Sequence, residues 1–236
     1  MLIKFYDDDH DLWSDMSIRT KFKINKNIKV DKTGTTIIGI CIKNHIVLAA
    51  DTRSTRGKIT NDSSCKKIHF IGNNIGICGA GTSADIQNII NYLKININFL
   101  NLEKLKETNL EECTKIIQNF LFNYKGMISA ALIIGGFDYY GLNLYSIYPD
   151  GSMDKNFFIS MGSGSFAAMT ILEKNYNEIM SLESAINISK QAILAGVYND
   201  LGSGGSVDLY VISKSKNLMY RGISLTLKSN NYLARS

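Results

Sequence analysis

A chain of 236 residues has room for one large domain or two small ones, and 45% hydrophobic against 20% charged residues describes a globular protein able to bury a sizeable core. The net charge of +5 comes from interspersed acids and bases, without a basic helix or an aromatic-basic motif, which argues against nucleic-acid binding. No apolar run reaches the roughly 18 residues of a membrane helix, and Asp7-Asp8-Asp9 without an apolar h-region argues against a secretory signal.

Residues 1–34 mix 7 Lys or Arg with 6 Asp or Glu and hold the single tryptophan, Trp13. This segment reads either as a disordered tail or as a removable propeptide. Two apolar strands follow, 37–42 and 46–50, joined by the turn Lys43-Asn44-His45 and closed by Asp51. A polar loop over 54–64 leads to Cys65-Lys66-Lys67-Ile68-His69-Phe70-Ile71, which alternates like a strand. Asn73-Asn74 turns the chain into a strand at 75–78. After Gly79-Ala80-Gly81 comes Thr82-Ser83-Ala84-Asp85, a capping-box pattern. Ile86, Ile89, Ile90 and Leu93 then carry helical spacing.

Thr108 to Glu111 forms a second capping-box pattern. Leu110, Cys113, Ile117, Leu121 and Tyr124 make one apolar stripe, which Gly126 can terminate. Strands are expected at 127–135, 142–148 and 156–161, with turn chemistry at Tyr148-Pro149-Asp150-Gly151. Gly162-Ser163-Gly164-Ser165 opens a helix to about residue 176, and a second helix runs over 182–201 and stops at Gly202. Closing strands are expected at 206–213 and 218–226. Grouped strands and grouped helices argue for α+β layers around stacked sheets in one domain.

The four cysteines, Cys41, Cys65, Cys78 and Cys113, lack C-x-x-C spacing and read as reduced thiols. Beyond residue 34 only His45 and His69 remain, too few for a zinc set and poorly placed for a Ser-His-Asp or Cys-His arrangement. A hydrolase built on this chain would need a nucleophile activated without histidine. Taken alone, Gly34-Thr35 is a polar turn before a strand. If the bond between them is cut, Thr35 carries both a hydroxyl and a free amine. An amine of ordinary pKa, about 7.7–8.0, can act as base for its own hydroxyl.

Other polar residues also carry two readings. Asp51 caps a loop or pairs with Lys67. Lys67 lies on a solvated strand face or is buried with a partner, and a buried ammonium beside Thr35 would lower the pKa of the terminal amine and hydroxyl. Asp200 is placed in the last turn of a helix, where the dipole disfavours a carboxylate by about 0.3–1 kcal/mol. It is a solvated acid or serves a site together with Ser203 in the loop Leu201-Gly202-Ser203-Gly204-Gly205. Ser163 supplies another hydroxyl in a Gly-rich turn that lacks the lysine of a phosphate loop. The amide of Gly81, ahead of a helix, can serve as an oxyanion donor.

Together, Gly34-Thr35-Thr36-Ile37, Ala50-Asp51-Thr52-Arg53, Lys67-Ile68, Gly79-Ala80-Gly81-Thr82, Gly162-Ser163-Gly164-Ser165 and Asp200 with Ser203 resemble a proteasome β subunit, an N-terminal-nucleophile hydrolase, over residues 34–213. The resemblance implies a propeptide, 1–34, and a single catalytic domain, 35–236. The fold implied is a four-layer α-β-β-α sandwich of two antiparallel sheets flanked by helices. It makes Thr35 the nucleophile of a threonine endopeptidase, with Asp51 and Lys67 as charged support. Ser163, Asp200 and Ser203 would orient the amine, and the Gly81 amide would hold the oxyanion.

The sequence is most similar to the trypsin-like type, beta type 2, through Ala50 to Thr55, Cys65 to His69 and Cys78 to Thr82. Thr55, Cys65, Gly79 and Gln87 are then the substrate-binding residues, with Gly79 leaving a deep pocket. Gln87 stands where that type has an acid, Arg56 replaces another acid, and the long C-terminal arm of the type is expected to be missing after Ser236. The implied partners are other β subunits in a seven-membered ring, α-subunit rings, assembly factors and unfolded polypeptide substrates. No cofactor, metal, nucleic acid or membrane is expected, and the implied localisation is cytoplasm and nucleus. A non-catalytic ring subunit would be expected to lose Thr35, Lys67 or Gly34. An unrelated basic binding protein would be expected to show a basic cluster.

Overall fold

A strand with water on one face alternates apolar and polar residues, whereas one covered on both faces stays apolar throughout. The segments Thr36–Ile42 (β1) and His45–Asp51 (β2) are of the second kind: β1 is buried at every position except Cys41, and β2 at every position except His45. That requires cover on both sides. The structure, a computed structural model, describes residues 34–56, 59–72, 74–105, 108–139, 141–214 and 216–224. The expected leader therefore lies outside the described residues except for Gly34, as do Trp13, the side chain of Arg56 and the end of the last expected strand.

The remaining elements are β3 (Ser54–Arg56), β4 (Ile59–Asp62), β5 (Ile68–Ile71), β6 (Ile75–Gly81), α1 (Ser83–Lys104), α2 (Leu110–Tyr124), β7 (Ala130–Asp138), β8 (Gly141–Ile147), β9 (Met153–Asn156), β10 (Phe158–Gly162), α3 (Ser165–Asn175), α4 (Leu182–Asn199), β11 (Val207–Ser213) and β12 (Leu218–Ile223). One sheet has the order β10-β1-β2-β11-β12 and the other β5-β6-β7-β8-β9. All their pairings are antiparallel.

Three apolar clusters fill the spaces between four layers. Ile89, Ile90, Leu93, Cys113 and Ile117 of α1 and α2 pack on Ile77, Leu132 and Ile134. Ala168, Leu172, Ala192 and Ile193 of α3 and α4 pack on Ile38, Ile40 and Leu209. Ile37, Leu48, Ile133, Leu144 and Tyr210 meet between the sheets. The fold is thus the expected α+β, four-layer α-β-β-α sandwich. Among the described residues no helix is long and apolar enough to cross a membrane.

The structure corrects several local expectations. The polar loop contains a two-stranded ribbon, β3–β4, whose β4 is exposed throughout and so lacks an apolar pattern. β5 starts at Ile68, leaving Lys67 just ahead of the strand, and β6 continues through Gly81. The expected strand 156–161 is two strands in different sheets, parted at Phe157. The box that caps α2 is Asn109 with Glu112, one residue later than expected. Thr82 caps α1 without a side-chain bond, and Asp85 accepts the backbone N–H of Ser129.

Leu48 is fully buried between the sheets. Leu48→Ala should lower the unfolding free energy of the chain by about 2–5 kcal/mol. Urea unfolding followed by circular dichroism measures this, and a change inside experimental error would contradict a packed inter-sheet core.

Candidate active site

Both strands of the buried hairpin deliver polar groups to one end of the sheet. Thr35 precedes β1 and Asp51 ends β2, so register puts the two side by side. The Asp51 carboxylate has no exposure and accepts four hydrogen bonds. Its Oδ1 takes Thr36 N–H at 2.9 Å and Lys67 Nζ at 2.7 Å, and its Oδ2 takes Gly204 N–H at 3.0 Å and Arg53 N–H at 3.2 Å. These partners use the four lone-pair positions of a carboxylate. The expected Asp51–Lys67 pair is therefore present, and Lys67 is 8% exposed, not solvated.

Lys67 Nζ also donates to Thr35 Oγ1 at 3.1 Å. The Thr35 hydroxyl points its own hydrogen at the carbonyl oxygen of Gly34, 2.6 Å away. The Gly34–Thr35 bond is intact, so the nitrogen of Thr35 is a peptide amide, standing where a processed chain would have an amine. Its N–H donates to Ser163 Oγ at 3.0 Å. Ser163 in turn donates to Asp200 Oδ2 at 2.5 Å, and Ser203 donates to the same oxygen at 2.6 Å. Because the Ser203 hydrogen is committed to Asp200, the Thr36 hydroxyl is the donor in its 2.9 Å contact with Ser203 Oγ. Ser163, Asp200 and Ser203 thus form one connected chain behind the Thr35 nitrogen.

Asp200 is not in the last turn of α4 as expected. It is the C-cap residue, in extended conformation, and its carboxylate turns away from the helix axis into this network. Partial burial pushes its pKa up. Hydrogen bonds from the Ser163 and Ser203 hydroxyls and the Gly202 and Ser203 amides outweigh that and hold it below the ordinary carboxylate value. The group therefore stays ionised into more acidic solution than a free aspartate.

Glycine at 34 follows from space. A Cβ there would lie 2.1 Å from Gly202 Cα, so the strand entering the site passes directly over the loop after α4. The backbone of Gly34 is not in the left-handed region, so close approach is the reason for the glycine, not φ. Gly81 is different, with φ at +133° and a Cβ position only 2.1 Å from the carbonyl oxygen of Ser129.

A cleft opens from Thr35 between β5–β6 and α1. Gly81, Cys65, Gly79 and Gln87, for which the resemblance implies oxyanion and substrate-binding roles, line it. Burial raises the pKa of the Cys65 thiol. Thr55 is not on this lining. It is buried and its Oγ1 accepts the Gly34 N–H at 3.1 Å, holding the residue ahead of Thr35. Gln87 donates from Nε2 to Asn91 Oδ1 at 3.0 Å along α1.

Sequence reasoning missed Thr36, Arg53, His69, Ser83 and Ile86, of which all but Thr36 line the cleft. The apolar helical spacing placed Ile86 in the core. No pattern could have told that its side chain also covers Gly79, where a Cβ would come within 2.6 Å of Ile86 Cγ2.

A family description of proteasome subunits matches residues 31–212. Over 184 residues the chain is 46% identical to the proteasome subunit beta type-7 of Dictyostelium discoideum, covering 78% of this chain and 69% of that one. The chain belongs to the proteasome β-subunit family. It is also 41% identical over 192 residues to the proteasome subunit beta type-2 of Saccharomyces cerevisiae, covering 81% of this chain and 74% of that protein. With the beta type-7-B subunit of Arabidopsis thaliana it shares 39% identity over 203 residues, 85% and 74% of the two chains. The matched span of this β subunit runs from just before Thr35 to the end of β11, so it contains the whole constellation above.

Removing one charge of a buried pair strands the other. Asp51→Leu should destabilise this proteasome β subunit by about 3–5 kcal/mol, and adding Lys67→Met should restore much of the loss. Denaturant unfolding of the two variants checks this. Equal stability of the single and double variants would mean that Lys67 is not buried against Asp51.

Proposed function

We propose that this chain is a catalytic subunit of the proteasome core, a threonine endopeptidase that uses Thr35 after removing its own leader. The observation that carries the reading is the Thr35 hydroxyl, held 3.1 Å from a buried ammonium and 2.6 Å from the carbonyl oxygen of Gly34. In self-processing, Thr35 Oγ adds to the Gly34 carbonyl carbon. The C–N bond then breaks as the nitrogen takes up a proton, leaving an ester on Oγ. Water cleaves that ester, giving a Gly34 carboxylate and a free hydroxyl and amine on Thr35.

The same hydroxyl then attacks a substrate carbonyl while the Thr35 amine takes its proton and passes it to the leaving amine. The Lys67 charge stabilises the developing alkoxide, and the Gly81 amide is the assigned oxyanion donor. Ser163, with Asp200 and Ser203 behind it, holds the nitrogen in place. Asp51 balances Lys67 and lets it stay charged when buried. In this reading the chain works within a ring of β subunits between α-subunit rings, in cytoplasm and nucleus, on unfolded polypeptides.

For the residue before the cut bond, P1, we propose long basic side chains, selected without a carboxylate. Among the described residues, no Asp or Glu lines the cleft. Asp85 is turned to Ser129, and Asp62 caps its own turn at Ser64. Gln87 offers a carbonyl oxygen without charge. Hydrogen bonds to charged groups are worth about 1.5–3 kcal/mol against about 0.5–1.5 for neutral ones. Preference for Arg over an apolar P1 is therefore shallower, by about tenfold, than an acid would give.

A non-catalytic role in the ring is the competing reading, and Thr35→Ala separates the two. Expressed in the assembled particle, Thr35→Ala should keep residues 1–34 and lose the cleavage of this subunit, while Thr35→Ser keeps part of both activities. N-terminal sequencing of the parent should begin at Thr35. A parent chain that retains Trp13 would sink the proposal.

The amine must be neutral to act as base, and the nearby Lys67 charge lowers its pKa. Cleavage should accordingly fall on the acid side with a midpoint at or below about 7.7–8.0. A kcat/KM profile against pH measures this, and a rate flat down to pH 5 would exclude the amine as base.

A further inference from the structure

Thr36 opens β1, and its side chain has no exposure. It does not line the cleft beside Thr35. It points instead toward the helical layer, between the turn that starts α3 and the last turn of α4. A Cβ on Gly164 would lie 2.1 Å from Thr36 Oγ1, and one on Gly196 would lie 2.5 Å from both Oγ1 and Cγ2. Two glycines from two elements thus leave one socket, shaped around a single threonine side chain.

In that socket the hydroxyl of Thr36 meets Ser203 Oγ at 2.9 Å. Ser203 gives its only hydrogen to Asp200 Oδ2, so Thr36 is the donor. The backbone N–H of the same residue donates to Asp51 Oδ1. Thr36 therefore joins both halves of the site. Its backbone is fixed on the Asp51–Lys67 pair, and its side chain ends the line of hydrogen bonds behind the Thr35 nitrogen. Every hydrogen in that line points toward one oxygen. From one side Thr35 N–H donates to Ser163, and Ser163 to Asp200 Oδ2. From the other side Thr36 donates to Ser203, and Ser203 to the same Oδ2.

We propose that Thr36 is a positioning residue for the reaction at Thr35: by donating to Ser203, its hydroxyl fixes the Asp200 carboxylate and, through Ser163, the Thr35 nitrogen. The proposal rests on the threonine-protease reading above, since only there does that nitrogen serve as the base. Two physical effects carry it. A hydroxyl that accepts a hydrogen bond is polarised and donates more strongly, so Thr36 strengthens the Ser203–Asp200 bond. The 2.9 Å separation from Ser203 Oγ also suits only a hydrogen-bonding atom, because a methyl carbon settles at about 3.5–4.0 Å. A side chain of the same shape without the hydroxyl therefore pushes Ser203 away from Asp200. Asp200 keeps the Gly202 N–H on Oδ1 but loses one of its two hydroxyl donors on Oδ2, and Ser163 is held less firmly.

The experiment measures kcat and KM for a peptide substrate on the assembled particle, per chain that begins at Thr35 by N-terminal sequencing. Cleavage by the Thr35→Ala particle is subtracted, so only this subunit is read. Thr36→Val should lower kcat about three- to tenfold, the worth of one hydrogen bond. Its KM should stay within about twofold of the parent, because the side chain lies outside the cleft. Thr36→Ala, which lacks the hydroxyl without crowding Ser203, should fall in the same range. Thr36→Ser keeps the donor and should return to within about twofold of the parent kcat. In a Ser203→Ala background, Thr36→Val should cost less than about twofold more, because the group it acts through is already gone. Parent-like kcat in both hydroxyl-free variants overturns the role of Thr36 while leaving the protease reading intact. So does a Thr36→Ser particle as slow as Thr36→Val, or a full additional loss in the Ser203→Ala background. Equal cleavage by the parent and Thr35→Ala particles overturns the protease reading, and the proposal with it.

Discussion

The buried ion pair between Asp51 and Lys67 is the constraint on which the rest of the site depends. An ionised carboxylate with no exposure is tolerated only when its oxygens are fully satisfied. Here the four donors come from the start of β1, the turn after β2, the segment before β5 and the loop after α4. One carboxylate thus ties together four stretches far apart in sequence, across both sheets. The second consequence is chemical. With its charge balanced by Asp51, Lys67 stays cationic at the bottom of the site and directs one N–H at the Thr35 hydroxyl. Removing either partner alone would leave the other charge buried and unpaired.

Much of this was legible in the sequence. Continuous apolar runs in β1 and β2 required cover on both faces, and strands grouped apart from helices required layers. Thr35, Asp51, Ser163, Asp200 and Ser203 each stood beside a local signal: a glycine, the end of an apolar run, or a Gly-Ser loop. Lys67 and Asp200 show the limit. The pattern put one inside a strand and the other inside a helix, yet each sits just beyond its element, where the backbone is free to aim the side chain inward. The β3–β4 ribbon and the break at Phe157 were not legible, because both depend on pairing partners distant in sequence. His69 was visible only as a histidine in a strand. It lines the cleft because α1 lies opposite, which no local pattern encodes.

Glycine sets the remaining geometry at Gly34 by exclusion of volume. The loop after α4 has to approach Gly34 closely enough for the Gly204 amide to reach Asp51 and for Ser203 to reach Asp200. That approach puts Gly202 Cα where any side chain on residue 34 would sit. Glycine stands at 34 because the loop carrying Gly202 and Ser203 occupies the space a side chain would need. Gly79 obeys the same logic one layer deeper. Its missing Cβ admits Ile86 of α1, so part of the depth that a glycine gives the cleft is filled by the chain itself. Gln87 and His69 also line the cleft.

The electrostatics of that remaining space follow from where the acids went. Every carboxylate near the cleft is already engaged: Asp51 by Lys67, Asp85 by the Ser129 amide, and Asp62 by its own turn. The cations Arg53, Lys66 and Lys67 stay on the lining. Of these, Lys67 is neutralised by Asp51, and Arg53 donates to the carbonyl oxygen of Leu201 at 3.4 Å, a contact that leaves its charge in place. The described lining of the cleft therefore combines cationic side chains with the uncharged Gln87 and holds no carboxylate. Hydrogen bonds from such a lining act at short range and with direction, whereas a carboxylate would act at longer range through its charge. Gln87 at a position where the resemblance implies an acid would therefore remove a long-range attraction and keep a short-range hydrogen-bonding partner.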